Sequence, residues 1–140
     1  MANIYPIRAF KDNYIWMLAA GTNKAFIVDP GEAAPVIDTL KAQNKELAGI
    51  LITHHHPDHT GGIAELIEWA PSIPVYGSHR SKNPFITHPQ KEGDMIACAG
   101  INFQVFEIPG HTLDHLAFFN DTTLFSVSYT HLRAHETLRY

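Results

Sequence analysis

Thiol chemistry is almost missing from this sequence. Its single cysteine, Cys98, allows no internal disulfide and suits a reducing compartment, so a cytoplasmic location is expected. No activating base stands near Cys98 along the chain, and it reads as a small buried apolar residue rather than a nucleophile. Basic residues are also scarce. Ten Lys and Arg against fourteen Asp and Glu leave a net charge of -4 with no basic stripe, which removes the electrostatic footing for nucleic-acid binding. No apolar run nears the roughly 20 residues that cross a bilayer. The start, Met1-Ala2-Asn3-Ile4-Tyr5-Pro6, lacks the charged and apolar regions of a signal peptide. Neither a membrane nor an export route is therefore expected.

Histidine, by contrast, is abundant and clustered. Four of the ten fall in one short stretch, Thr53-His54-His55-His56-Pro57-Asp58-His59-Thr60-Gly61-Gly62. An expression tag would be terminal and would carry no Asp among its histidines. Ahead of the stretch, Leu47 to Ile52 has the length and Ile/Leu content of a buried strand. Behind it, Ile63, Leu66, Ile67 and Ala70 repeat at helical spacing. The cluster thus occupies a strand-to-helix loop, where a rigid frame can aim several ligands at one point. In an extended segment His54 and His56 face the same side, and Asp58 and His59 follow the turn at Pro57. Imidazoles with a carboxylate suit zinc and neighbouring first-row metals. Gly61 and Gly62 allow close backbone packing where side chains would collide.

Taken in order, Ile4 to Phe10, Tyr14 to Ala19 and Ala25 to Val28 predict three strands, an antiparallel start to a sheet. Glu32 to Asn44 predicts a helix on the spacing of Ala33, Val36, Ile37 and Leu40, with Pro35 tolerated in its first turn. After the motif and its helix, Pro74 to Gly77 predicts a strand and Ser78 to Gln90 a loop or short irregular helix in which His79 and His88 are solvated. Asp94 to Ala97 and Ile101 to Ile108 predict a hairpin around Gly100. A second hairpin pairs Leu116 to Phe119 with Thr123 to Phe125. The strand-helix-strand-helix order indicates α/β layer packing. His111, after a strand and the Pro109-Gly110 turn, is a further candidate ligand, and His115 a weaker one.

His54-x-His56-x-Asp58-His59 with a separate His111 resembles the metallo-β-lactamase superfamily. Four stretches, Ala9 to Trp16, Val28-Asp29-Pro30-Gly31, Thr53 to Gly62 and Pro109 to Thr112, are similar to bacterial glyoxalase II (hydroxyacylglutathione hydrolase). The resemblance covers about residues 1–125 and implies the amino-terminal half of an αββα sandwich. It implies two divalent metals, zinc first with iron or manganese as alternatives. His54, His56 and His111 would hold one metal, Asp58 and His59 would contribute to the other, and a single metal is conceivable in this chain. The implied reaction is hydrolysis of S-D-lactoylglutathione to D-lactate and glutathione by water activated at the metals, with Asp58 orienting it. Asp29 is read as a carboxylate that supports a ligating histidine from behind.

The family pattern lapses after Phe125. By register from His111 an Asp is expected near position 128, where this chain has Ser128. The tail 126–140 resembles translated sequencing-adapter sequence and is expected to be poorly packed, although His131 and His135 could share a helix face. A half sandwich is expected to leave one sheet face bare, with marginal stability and association as the consequence. Two other readings accompany this one. One is another superfamily enzyme, such as a lactonase, β-lactamase or persulfide dioxygenase; the other is an inactive metal-binding fragment.

Overall fold

The computed structural model describes residues 3–9, 13–19, 23–53, 61–98, 101–107, 116–119 and 124–125. The tail 126–140 and Ser128 lie outside the described residues.

Strand β1 (Asn3–Ala9) pairs antiparallel with β2 (Asn13–Ala19), and β2 pairs antiparallel with β3 (Lys24–Val28). The expected antiparallel start is therefore present. From β3 the sheet turns parallel through β4 (Glu46–Leu51), β5 (Val75–Ser78) and β6 (His88–Gln90), giving six strands in sequence order. Parallel neighbours need crossovers. Helices α1 (Ala34–Ala42) and α2 (Ile63–Trp69) supply those between β3 and β4 and between β4 and β5. A second sheet of four antiparallel strands has the order β10-β9-β8-β7, with β7 at Met95–Cys98, β8 at Ile101–Glu107, β9 at Leu116–Phe119 and β10 at Leu124–Phe125.

Side-chain alternation explains why the first sheet is covered on both faces. Along β2, Ile15, Met17 and Ala19 join Val36 and Leu40 of α1 and Ile63 and Leu66 of α2 in one buried cluster. The intervening Trp16 and Leu18 join Phe103, Val105, Leu116 and Phe118 of the second sheet in another. The described layers are thus helix, sheet and sheet, as the amino-terminal half of an αββα sandwich requires. On the outer face of the second sheet Met95 is 60% exposed, Asn102 and Gln104 are exposed, and the half-buried rings of Phe106 and Phe119 meet edge-on at 6.1 Å. That face is mixed rather than wholly apolar, because polar residues alternate with the aromatic ones.

Two boundaries differ from the sequence pattern for physical reasons. Helix α1 stops at Ala42, short of Asn44, because Asn44 adopts a left-handed φ of 54°. Its N–H donates to the Lys41 carbonyl and that of Lys45 to the Leu40 carbonyl, a glycine-type helix stop that Asn tolerates. The stretch 78–90 is not all loop: His88–Gln90 adds a strand beside β5, so that Tyr76 pairs with His88. Its Pro89 sits on this edge, where a missing donor is tolerated.

Candidate metal centre

His54, His56, Asp58 and His59 lie outside the described residues, and so does His111. Among the described residues no three His, Cys, Asp or Glu side chains gather into a metal site. What the structure gives is the frame from which both histidine-bearing stretches depart and to which they return. The residue types expected there, imidazoles and a carboxylate, are ones that suit a divalent cation.

The frame is built at the carboxyl ends of β3 and β4. After Val28 the chain enters the turn Asp29-Pro30-Gly31, in which the Gly31 N–H donates to the Asp29 carbonyl at 2.9 Å. Asp29 has a φ of 54°, a conformation that is rare for a residue with a Cβ and is further disfavoured before proline. The strain persists because the side chain is fixed from outside. Asp29 is 1% exposed, and its backbone N–H donates to the Leu51 carbonyl at 2.9 Å. One carboxylate oxygen accepts from the Thr53 N–H at 2.7 Å and the other from the Thr53 hydroxyl at 2.6 Å. Asp29 therefore holds the residue immediately before His54. A contact of Asp29 with a histidine side chain would involve residues outside those described.

The exit of the motif is fixed by the same turn. Gly62 donates its N–H to the Pro30 carbonyl at 2.8 Å and caps the start of α2. A Cβ at Gly62 would stand 2.5 Å from the Glu32 carbonyl carbon and 2.6 Å from the Ala33 nitrogen. The close packing expected of the glycine pair is thus met at Gly62, whereas Gly61 is exposed.

The second histidine-bearing stretch, 108–115, runs from the end of β8 to the start of β9. Its far end meets the first, since the Leu116 N–H donates to the Thr53 carbonyl at 2.7 Å. Its near end is held by charge. The Glu107 carboxylate accepts from Arg80 Nε at 3.1 Å, lies 3.3 Å from His79 Nε2 and accepts from the Glu92 N–H at 3.2 Å. The Glu107 N–H in turn donates to a Glu92 carboxylate oxygen at 2.7 Å. The bond from the Glu92 N–H, then the charge of Arg80 and the contact with His79, hold the Glu107 carboxyl below its ordinary range. His79 is exposed, as expected, but it is tied to this cluster rather than merely solvated. His88 is exposed and lies against Tyr76 with ring centres 4.9 Å apart.

Sequence reasoning did not assign Thr53, Leu116 or Glu107 to the site. The available signal was position, since each adjoins a histidine-bearing stretch. Cys98 is buried, and burial pushes its thiol up to about 12, in keeping with a packing role. A shallow depression of about 380 Å³ lined by Lys24, Leu47, Trp69 and Ile73 opens at the opposite, amino-terminal ends of β3 and β4.

A family model for the metallo-beta-lactamase superfamily matches residues 10–123. A hydroxyacylglutathione hydrolase of Hahella chejuensis is 50% identical over 121 residues, which cover 86% of this chain and 47% of that protein. One from Pseudoalteromonas translucida is 46% identical over 127 residues, 90% of this chain and 49% of that protein. The chain spans about half the length of the curated relatives it matches. Among solved structures, the B3 metallo-beta-lactamase BLEG-1 superposes with a TM-score of 0.73 at 25% identity, covering 90% of this chain and 71% of that one.

Proposed function

The chain belongs to the metallo-beta-lactamase superfamily, and from that premise we propose that it carries the amino-terminal, metal-binding half of a glyoxalase II-type thioester hydrolase. The substrate class under this reading is an acylated glutathione, S-D-lactoylglutathione first. The observation that carries it is the 50% identity to a hydroxyacylglutathione hydrolase, against 25% to the B3 lactamase, over nearly the same share of the chain.

Under this reading His54, His56 and His111 hold one divalent cation, and Asp58 and His59 contribute to a second. Zinc suits such ligands, and so do iron and manganese. Bound cations would supply Lewis-acid chemistry, activating water and polarising the thioester carbonyl. The chain's own residues do the positioning. Asp58 would orient the attacking water. Asp29 and Pro30 fix the two ends of the motif, and Glu107 anchors the entry to the stretch that bears His111. Hydrolysis forms a carbon–oxygen bond to the acyl carbon and breaks its bond to sulfur, releasing a carboxylic acid and a thiol. No side-chain nucleophile is needed.

The test is thioester hydrolysis measured on S-D-lactoylglutathione beside a lactone, a β-lactam and a glutathione persulfide. Preferential thioester turnover that disappears with a chelator supports the reading. Turnover of another substrate in preference overturns the substrate class. A second reading, a metal-binding chain without turnover, is favoured by Ser128, which stands where the family pattern calls for an Asp. It predicts metal uptake with no hydrolysis of any of the four.

No helix among the described residues is long and apolar enough to cross a membrane.

A further inference from the structure

Three hydrogen bonds converge on one buried residue at the root of the site. The Thr53 N–H and hydroxyl engage the two carboxylate oxygens of Asp29 at 2.7 and 2.6 Å. Its carbonyl accepts from the Leu116 N–H at 2.7 Å. Thr53 and Leu116 are fully buried and Asp29 nearly so. Bonds at the amide, the side chain and the carbonyl of one residue restrict rotation about φ, χ1 and ψ together. The direction in which the chain leaves toward His54 is thereby set. The third bond also crosses between sheets, from the end of β4 in the six-stranded sheet to the start of β9 in the four-stranded one.

We propose that Thr53 is a positioning residue whose joint with Asp29 and Leu116 fixes the spacing between the two histidine-bearing stretches and so sets the affinity for a divalent cation. This rests on the reading that ligands lie at 54–59 and at 111. Thr53 acts through its neighbours and need not touch the cation. Partners that orient metal ligands commonly govern affinity in this way, and losing one costs about ten- to a hundredfold. Valine matches threonine in shape and keeps its stiffness at χ1 but withdraws the hydroxyl, leaving Asp29 one donor poorer in a buried setting. Serine keeps the hydroxyl.

The experiment compares the full chain with Thr53→Val, Thr53→Ser, Val36→Ala and His54→Ala variants. Zinc affinity is read by competition with a chromogenic chelator. Melting and the exchange rate of the Leu116 amide are read on the metal-free chain. Thr53→Val is expected to weaken zinc binding about tenfold or more and to speed exchange at Leu116, with Thr53→Ser restoring both. Val36→Ala, a deletion in the helix layer, is expected to lower the melting temperature and leave zinc affinity unchanged. Wild-type affinity in Thr53→Val overturns the inference, and so does an equal loss in Val36→Ala at equal melting temperature. If His54→Ala binds zinc as the wild type does, the ligand reading fails instead. In that case unchanged exchange at Leu116 in Thr53→Val separately overturns the joint.

Discussion

Gly62 and Pro30 are joined by a 2.8 Å hydrogen bond from the Gly62 N–H to the Pro30 carbonyl, which holds Gly62 so close to the following turn that a Cβ there would run into the Glu32 and Ala33 backbone. Gly62→Ala must move the turn at 29–33 or the start of α2. It is expected to cost about 1–3 kcal/mol and to weaken metal binding as well. Chemical denaturation checks the first and chelator competition the second. A neutral substitution would mean that the turn yields freely.

Asp29→Ala removes the acceptor for two buried donors of Thr53 while keeping a Cβ at a positive φ. A loss of about 3 kcal/mol is expected, with Asp29→Asn losing less because an oxygen remains. Urea unfolding of the metal-free chains measures both. Intact stability and metal content in Asp29→Ala would remove Asp29 from the site.

Cys98, with its thiol pushed up to about 12 by burial, is expected to resist iodoacetamide at pH 8 in the folded chain and to react fully in denaturant. Mass spectrometry reads the outcome directly. Rapid labelling of the native chain would contradict the buried placement between the sheets.

Glu107 gives a pH dependence of definite sign. Its folded carboxyl titrates below the ordinary value of 4.5, so its contribution to stability is complete above that value and fades as pH falls through the lower, folded one. Glu107→Gln should therefore melt below the wild type at pH 7, and the gap should close in acid below about pH 4.5. The cluster is partly exposed, so the gap is expected to be small and to shrink in salt. Melting curves of the metal-free chains across pH would show it, and a gap that widens in acid would contradict it.

The elements that the sequence disclosed most clearly were those with strong periodicity. Alternation along β8 and the helical spacing of Val36, Leu40, Ile63 and Leu66 each mark a buried face, the unbroken apolar run of β2 marks a strand covered on both sides, and these residues fill the two observed clusters. Strand β6 escaped notice because His88-Pro89-Gln90 has neither apolar character nor β propensity, and it is placed by backbone pairing with β5. The histidine motif stands out in the sequence by residue type and offset. Its supports do not, because the bonds of Thr53 to Asp29 and to Leu116 span 24 and 63 positions and are dictated by topology. The same holds for Glu107 and Arg80, an ordinary pair of surface charges until β8 and β5 are brought together.

The most direct test is divalent metal per purified chain, measured by mass spectrometry on the wild type and on His54→Ala and His111→Ala. At least one bound equivalent is expected in the wild type, with its loss in both variants. A chain that carries no metal, or whose metal content is indifferent to both substitutions, would contradict it.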